Sequence, residues 1–578
     1  MDDQAQLGLL LADDQGAPAL ADAVATDSAA RQSSRGRPPL DSWQRARPGT
    51  DINSLEAQGW AVVVADTANG RRALDLIAPL VEKRARDQRA SVLTVAVPPA
   101  MDMAQAIRWR REDYPQLLRQ EERTRPRYLL ILEDHDQVSL ATQRVLSADG
   151  FPGRLVCPDE RGYQAYVDKV LRWERNPSQH ERARSLFYTV HDRTTATQTG
   201  YRQLAKRLYD RCRRKWQDDP YLFPASSVEN HGKGRPADRA WPDDPGDPGE
   251  PDPQDFLTLT GREVPTLLFS LSHGLGPPGP GRTGWTPGDA RRRQGAMSFG
   301  RAGAIHASDV ADAPFLPGGL WFYFAGFGAG TPVQSAYRDW LQHLVDAGLD
   351  GAAHVSRVLN GLAHDGGFTS ALAQAALANP RGPLGLIGQV DLSWSYGYQP
   401  SWLAESHDGQ PSGRSRDYER LLTNLMDRQR LGSAMRQLQK LLDVVDRDIS
   451  ERASHWPAAD ETLARVATGH QWMRQQDLAS HVLLGDPAVR LPLAPELTRA
   501  LDDWSAAELL VPLSGSPGRA PSRRTSLAAD ERAILEYLLG RLQVSELATV
   551  LDMDEDSADE RARAYREGGR QALSRFED

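Results

Sequence analysis

Two apolar runs decide the fold of this chain: Pro265-Thr-Leu-Leu-Phe-Ser-Leu-Ser-His273-Gly274-Leu275-Gly276 and Gly319-Leu-Trp-Phe-Tyr-Phe-Ala325-Gly326-Phe327-Gly328-Ala329-Gly330-Thr331-Pro332. Each run is built mainly of aromatic and aliphatic residues and then breaks into glycine. This pattern is typical of a strand that is buried on both faces of a parallel sheet, and glycine lets the backbone turn sharply where the strand ends. Because sites in open α/β sheets gather at the carboxyl ends of the strands, the two glycine-rich ends predict a functional crevice.

Further strands and helices alternate on the amino-terminal side of these runs. Residues 60–65, 92–97 and 128–132 have the composition of strands, and the apolar positions of 71–87 have helical spacing. Such alternation predicts an α/β fold with mostly parallel sheets flanked by helices. We expect two lobes of this kind, an amino-terminal lobe over 51–184 and a second lobe over 185–495.

The two ends of the chain differ in composition from its middle. Residues 1–50 are rich in Asp, Ala, Ser, Arg and Pro and have no apolar period, which predicts a disordered tail. Residues 496–525 include a stretch rich in Pro, Ser, Gly and Arg and are expected to form a linker. Residues 526–578 predict a small module of three short helices, in which Ser526 caps the first.

The order of the motifs resembles that of the caspase-fold cysteine peptidases, and most of all their gingipain-type branch. A strand ending in Ser-His-Gly precedes a strand that ends in a small-residue loop, and three further blocks occur in the same order as in that family. These blocks are Arg293-Gln294-Gly295-Ala296, Gly388-Gln389-Val390-Asp391-Leu-Ser-Trp394-Ser-Tyr396 and Leu484-Gly485-Asp486-Pro487-Ala-Val. The resemblance covers residues 55–492.

This resemblance implies a cysteine endopeptidase mechanism and assigns its parts. A thiolate attacks the scissile carbonyl, an imidazole handles the protons, and backbone N–H groups bind the oxyanion. His273 matches the general base, and Gly274 matches an oxyanion-hole donor. The position of the nucleophilic cysteine falls on Gly326, which has no side chain.

Three explanations of Gly326 stay open at the level of sequence. The protein is a naturally degenerate peptidase that has kept its fold, or an inactivated variant, or an enzyme in which another residue supplies the nucleophile. Ser272 and Ser298 are the nearest hydroxyls by analogy, and neither lies in a recognised nucleophile-elbow sequence.

Further polar residues are candidates for the same crevice. Asp309 precedes the second apolar run and could orient His273, as a carboxylate orients imidazole in catalytic triads, although a solvated loop aspartate is the alternative. Gln389 and Asp391 follow another predicted strand, so both should lie beside the crevice. Relatives often have histidine where Gln389 stands.

Charge and composition narrow the class of protein. The net charge of −9 argues against a general nucleic-acid binder, and the sequence contains no apolar run of 18 residues that could span a membrane. The amino terminus lacks the basic start of a signal peptide, and two cysteines are too few for a disulfide framework. We therefore predict a cytoplasmic protein with no cofactor and no metal site.

The carboxyl-terminal module suggests a second kind of function. Its short helices resemble the helix-turn-helix region of sigma-type regulators, but residues 526–578 contain 13 acidic residues and 7 arginines. A DNA-binding helix needs a basic face, which Arg561, Arg563, Arg566 and Arg570 could provide on the third helix, although Asp559 and Glu560 oppose it. The sequence thus predicts a gingipain-like peptidase homologue that acts on a protein or peptide and is impaired by Gly326. The alternative is an adaptor that recruits a protein partner or, less favoured, is tethered to DNA.

Overall fold

A computed structural model provides the structure of the chain. It describes residues 6–20, 24–31, 49–118, 125–175, 183–217, 225–232, 251–279, 282–348, 355–356, 359, 366–398, 415–454, 461–493, 533–534, 537 and 542–568. The chain divides into two compact units, one made of residues 1–213 and 225–494 and the other of 214–224 and 495–578.

The described strands are short and mostly buried. In chain order they are β1 (Gln6–Leu7), β2 (Leu11–Ala12), β3 (Val24–Ala25), β4 (Trp60–Ala65), β5 (Leu93–Val97), β6 (Tyr128–Leu132), β7 (Phe151–Leu155), β8 (Ala183–Thr189), β9 (Ala225–His231), β10 (Thr266–Leu271), β11 (His273–Leu275), β12 (Met297–Ser298), β13 (Ala304–Ile305), β14 (Leu320–Phe324), β15 (Gly330–Thr331), β16 (Phe368–Thr369), β17 (Gly385–Gln389) and β18 (His481–Gly485).

Helices of very different length connect these strands. The described α-helices are Leu55–Gln58, Ala68–Leu76, Ala78–Gln88, Met103–Glu112, Tyr114–Leu117, Leu140–Ser147, Glu160–Arg175, Thr195–Gly200, Lys206–Gln217, Pro253–Thr260, Pro287–Arg293, Ala307–Ala311, Arg338–Asp346, Ala371–Ala378, Ser415–Met426, Leu431–Ala434, Arg436–Ser454, Glu461–Ser480, Val544–Leu551 and Glu555–Gly568. Every helix among the described residues is too short or too polar to cross a lipid bilayer.

A ten-stranded sheet forms the centre of the larger unit, in the order β5-β4-β6-β7-β18-β17-β14-β10-β8-β9. Pairing is parallel throughout β5-β4-β6-β7 and throughout β17-β14-β10-β8-β9, whereas β17 and β18 are antiparallel. The mostly parallel α/β architecture predicted from the sequence is confirmed. The two predicted lobes share this sheet, because β18 lies between β7 and β17, so residue 184 is not a boundary between separate sheets.

The two apolar runs that begin at Pro265 and Gly319 form β10 and β14. All residues of both strands are buried, and the strands are parallel neighbours from Leu267 opposite Leu320 to Leu271 opposite Phe324. Helices such as Ala371–Ala378 cover the sheet, which explains why these strands are apolar on both faces. The pairing places both glycine-rich ends at the same edge.

The amino-terminal residues differ from the disordered tail predicted over 1–50. Leu7, Leu9, Leu10 and Leu11 are all at most 1% exposed, and β2 extends a four-stranded sheet by pairing in parallel with β11. The composition of the whole segment concealed this short apolar run. Its central residue Leu10 has its backbone partners, Gly274, Gly326 and Ser393, more than 250 residues away. Residues 32–48 lie outside the described part of the chain.

The smaller unit contains a helical core of its own. Buried Ile534 and Leu547 pack in one cluster with residues of the helices Val544–Leu551 and Glu555–Gly568. Ser526, the predicted cap of the first helix, lies outside the described residues, as does Arg570. Arg561 is 7% exposed and therefore cannot contribute much to the basic face considered in the sequence analysis.

Candidate functional site

The neighbouring ends of β10 and β14 bring two glycines into backbone contact. A Cβ atom built on Gly274 would lie 1.7 Å from the carbonyl oxygen of Gly326. No side chain fits in that space, so Gly274 is fixed by packing. Because the two glycines lie so close together, their backbone N–H groups can donate to the same acceptor.

Their two N–H groups share one acceptor. The amides of Gly274 and Gly326 each donate a hydrogen bond to the backbone carbonyl oxygen of Leu10, with N···O distances of 3.1 Å and 3.1 Å. Two backbone donors that converge on one carbonyl oxygen form the arrangement that stabilises the oxyanion in acyl transfer.

His273 stands beside this pair of amides and has a carboxylate partner. Its Nδ1 atom lies 2.7 Å from Oδ2 of Asp192, and the two side chains are 1% and 3% exposed. An ionised carboxylate accepts a hydrogen bond from Nδ1–H. This fixes the proton on Nδ1, so that Nε2 carries the free lone pair of the neutral ring. The Nε2 atom has no hydrogen-bond partner among the described residues. Its ring lines a cleft of about 230 Å³ together with Gly8, Leu9 and Arg193.

Asp192 is held in its charged form. Burial alone would raise the pKa of its carboxyl, but the charge of His273 and hydrogen bonds from His273, Thr197 and Thr194 outweigh burial and keep that pKa well below its usual range. The hydroxyls of Thr197 and Thr194 donate to Oδ1 at 2.6 and 2.8 Å, which leaves Oδ2 for the imidazole. Asp192 can therefore fix both the tautomer and the orientation of His273.

The loop after Gly326 keeps a demanding shape. Phe327 adopts a left-handed conformation with φ of 59°, which is uncommon for a bulky residue. Its amide donates to the carbonyl oxygen of Asp391 at 3.0 Å, and the amide of Ala329 donates to that of Gln389 at 2.9 Å. The end of β17 thus supports the loop through its backbone.

A Cβ atom on Gly326 would meet one close obstacle, which is a backbone atom. The φ of Gly326 lies outside the left-handed region. A Cβ built there would lie 2.8 Å from the oxygen and 3.7 Å from the carbon of the Leu10 carbonyl group. The nearest obstacle is therefore the amino-terminal segment, which would have to shift by a few tenths of an ångström.

The predicted pocket residues have other partners. Asp309 does not orient His273, because Asp192 does, and the exposed Asp309 instead accepts the amide of His306 at the start of its own helix. Gln389 donates through Nε2 to Asp477, 2.9 Å away. Asp391 accepts hydrogen bonds from Ser335 and Ala336 and so anchors the turn that follows β15.

Neither candidate serine is bonded to the imidazole. The hydroxyl of Ser272 donates to the carbonyl oxygen of His273, 3.0 Å away, and that of Ser298 accepts the amide of Gly300 at 3.2 Å. Both serines are buried. This geometry gives no support to a hydroxyl nucleophile among these two residues.

Two parts of the site were missed by the sequence analysis. Asp192 directly follows the end of β8, the parallel neighbour of β10, in the stretch His191-Asp192-Arg193-Thr194-Thr195. An acid at the end of a strand in the same parallel run was a usable signal. The amino-terminal segment carried no comparable signal, because the residues that it contacts at the site are distant in sequence. Among the described residues, no group of histidine, cysteine or carboxylate side chains could hold a metal ion.

Comparisons with known proteins give a limited result. No protein-family model matches the sequence, and no curated protein sequence is similar to it. The chain is similar to the solved structure of the Arg-specific cysteine proteinase gingipain R, with 13% identity over 76% of this chain and 80% of that chain and a TM-score of 0.40. A structure described only as a protease gives 12% identity, 76% and 79% coverage and a TM-score of 0.40. The complex of the pro- and mature domains of RgpB from Porphyromonas gingivalis is similar with 13% identity, over 75% of this chain and 80% of that chain, and with a TM-score of 0.38. Likeness at these scores identifies no function, which has to rest on the geometry of the site.

Proposed function

We propose that this chain is a cysteine-endopeptidase homologue that binds peptides and lacks peptidase activity because Gly326 stands at the position of the nucleophile. One observation carries the proposal. The amides of Gly274 and Gly326 converge on a single carbonyl oxygen, beside an imidazole that is oriented by Asp192. An acceptor of this kind is what a peptide substrate presents.

The proposed chemistry requires one additional sulfur atom. A thiolate at position 326 would attack the carbonyl carbon of a bound peptide, and the two amides would stabilise the resulting oxyanion. His273 would take the thiol proton through Nε2 and return it to the leaving amine, while Asp192 stabilises the imidazolium. Without the sulfur, the same groups can hold a peptide carbonyl but cannot form the acyl intermediate.

The substitution Gly326→Cys tests this proposal. It should create peptidase activity that a thiol alkylator abolishes, whereas the parent chain shows none. Gly326→Ala is the matched control, because it adds the same Cβ against the Leu10 carbonyl without the sulfur. Activity is measured on a peptide mixture by mass spectrometry, with the fold checked by circular dichroism.

Two results would contradict the proposal. Robust thiol-independent cleavage by the parent chain would show that another nucleophile is present. A folded Gly326→Cys protein that neither cleaves nor binds any member of the mixture would remove the peptidase-like role altogether.

A second proposed role concerns the smaller unit, which we assign to recruitment of a protein partner. Arg561 is 7% exposed, and Arg563 forms an ion pair with Asp559 at 2.8 Å, so fewer arginines are left to face DNA. We expect the full chain to give no gel shift with duplex DNA at low salt. Tight binding that falls steeply with salt would favour the DNA-tethered alternative.

A further inference from the structure

We propose that residues 7–12 of this chain occupy the peptide groove as an intramolecular ligand, and that the groove selects an extended peptide with leucine at the position of Leu10. This inference rests on the proposed function and names both the occupant and the substrate class of the site. It also specifies which bond the site aligns for attack.

The backbone of the segment is bound as an added strand. The Leu10 amide donates to the carbonyl oxygen of Ser393 at 2.8 Å, while the Leu10 carbonyl accepts from Gly274 and Gly326. Two residues earlier, the Gly8 amide donates to the Ser395 hydroxyl at 2.8 Å, and the Gly8 carbonyl accepts the Ser395 amide at 2.7 Å.

The pattern continues on the other side of Leu10. The amide of Gly276 donates to the Ala12 carbonyl at 2.6 Å, and Leu11 pairs in parallel register with Gly274. Residues 8, 10 and 12 thus make backbone hydrogen bonds to the groove on alternate positions. Recognition of this kind depends on an extended backbone and leaves specificity to the alternate side chains.

Side chains divide between two faces of the segment. Leu7, Leu9 and Leu11 belong to one buried cluster with Phe327 and Trp394. Leu10 is not a member of that cluster and is 0% exposed, so strand alternation directs its side chain into a separate enclosed position. A Cβ on Gly8 would lie 3.0 Å from Cα and Cβ of Ala196, which favours glycine at that position.

The register identifies the aligned bond. A Cβ at position 326 would lie 3.7 Å from the Leu10 carbonyl carbon, so a thiol carried there could reach that carbon. Attack would form an S–C bond and break the C–N bond between Leu10 and Leu11, with the Leu11 nitrogen receiving a proton from His273. Water would then hydrolyse the thioester, giving a carboxylate on Leu10 and restoring the thiol.

A turn closed by hydrogen bonds to Asp13 connects the segment to the rest of the chain. The Asp13 carboxylate accepts the amides of Gln15 and Ala17, each at 2.9 Å, and the Asp13 amide donates to the Ala17 carbonyl at 2.7 Å. Because the ligand is tethered this closely, it competes with peptides in solution at a high effective concentration. A peptide in solution therefore has to displace this segment before it can bind to the parent chain.

The first test opens the groove in the full chain. Leu10→Asp places a carboxylate in an enclosed apolar position and should expel the segment. A fluorescent peptide with the sequence of residues 6–14 should then bind at least tenfold more tightly to Leu10→Asp than to the parent. Gln15→Asp is the matched control at an exposed position, and it should bind as weakly as the parent. A folded Leu10→Asp protein that binds peptides from a random library but not this peptide would overturn the inference and leave the proposed function standing.

The second test does not depend on the folding of Leu10→Asp. In Gly326→Cys, intact mass spectrometry should show loss of residues 1–10, with a rate that does not change with protein concentration. Addition of His273→Ala should prevent this cut. Cleavage of added peptides without loss of residues 1–10, or a first cut at another bond, would overturn the assignment of the segment. Absence of all cleavage together with absence of all peptide binding would instead remove the proposed function.

Discussion

Two buried histidines of the larger unit, His273 and His135, each follow a parallel strand, and their surroundings differ. His273 follows β10, is oriented by Asp192 and lines the cleft. His135 follows β6 and is 2% exposed. Burial first, and then the positive charge of Arg154, keep the pKa of His135 well below its usual range, although the nearby Thr331 backbone acts in the opposite direction.

The carboxylates near the two histidines explain the difference. Glu133 and Asp134 directly precede His135 in sequence, yet both accept hydrogen bonds from backbone amides, and neither is bonded to the His135 ring. Glu133 accepts the Ala65 amide at 2.9 Å, and Asp134 accepts the Thr369 amide at 2.7 Å. His273 has no acid beside it in sequence and obtains one from 81 positions away. A histidine at a strand end is therefore not enough to indicate a site. His273 differs from His135 in that its ring is hydrogen-bonded to a carboxylate and lines a cleft.

The largest expected effect separates the two histidines in the Gly326→Cys background. His273→Ala should lower kcat/KM by about 10²–10⁴-fold, because the general base is lost. His135→Ala should leave kcat/KM within about tenfold of the Gly326→Cys protein, since that imidazole has no part in the proton transfers. Rates are measured on one cleaved peptide, and melting temperatures are compared to separate loss of fold from loss of chemistry. An equal loss of kcat/KM in the two variants would show that His273 and His135 do not differ in function.

A second prediction concerns the backbone contact between Gly274, which follows His273, and Gly326. Gly274→Ala forces a Cβ against the Gly326 carbonyl and should lower the free energy of unfolding by about 3 kcal/mol. Gly284→Ala is the control, because a Cβ there meets no atom within 4 Å among the described residues, and its effect should stay within about 0.5 kcal/mol. Urea unfolding measures both. A tolerated Gly274→Ala would mean that the two strand ends can move apart.

Local pattern was enough to predict the two strands and the glycine-rich ends that lie together at one edge of the sheet. The apolar runs of β10 and β14 indicated buried parallel neighbours, and their glycine-rich ends located His273, Gly274 and Gly326. These features depend on residues close together in the chain. A continuous run of apolar residues predicts burial without knowledge of the partner strand.

The missed parts depend on contacts between distant residues. Asp192 was not recognised because its role exists only through the pairing of β8 with β10. Asp309 lies nearer to β14 in sequence and has the same chemistry, which made it the apparent choice. The segment around Leu10 is a short apolar run between polar neighbours, and the backbone hydrogen bonds of Leu10 are made with Gly274, Gly326 and Ser393. Composition averages over such a short run and cannot reveal the groove that binds it.

The smallest expected effect is a difference in pH-dependent stability between Asp192, which is bonded to His273, and Glu133, which lies two residues before His135. The pKa of Asp192 is lowered in the folded chain, so its charge contributes stability that is complete above its unfolded pKa, near 3.9, and is lost as the pH falls through the lower folded value. Burial raises the pKa of Glu133 more than its hydrogen bond to Ala65 lowers it. The charge of Glu133 therefore opposes folding above the folded pKa, and this penalty disappears as the pH falls below the unfolded value.

These opposite signs give opposite pH profiles for two isosteric substitutions. At pH 7, Asp192→Asn should lower the free energy of unfolding by about 1–3 kcal/mol, and the difference from the parent should shrink below about pH 4. Glu133→Gln keeps an acceptor for the Ala65 amide and should be neutral or stabilising by up to about 1 kcal/mol at pH 7, again with a difference that shrinks in acid. Urea unfolding of the parent and both variants between pH 3 and pH 7 measures the two profiles. If Glu133→Gln destabilised the chain as much as Asp192→Asn does, a functional carboxylate could not be told from a structural one by its electrostatics, and the site would rest on the cleft and the paired amides alone.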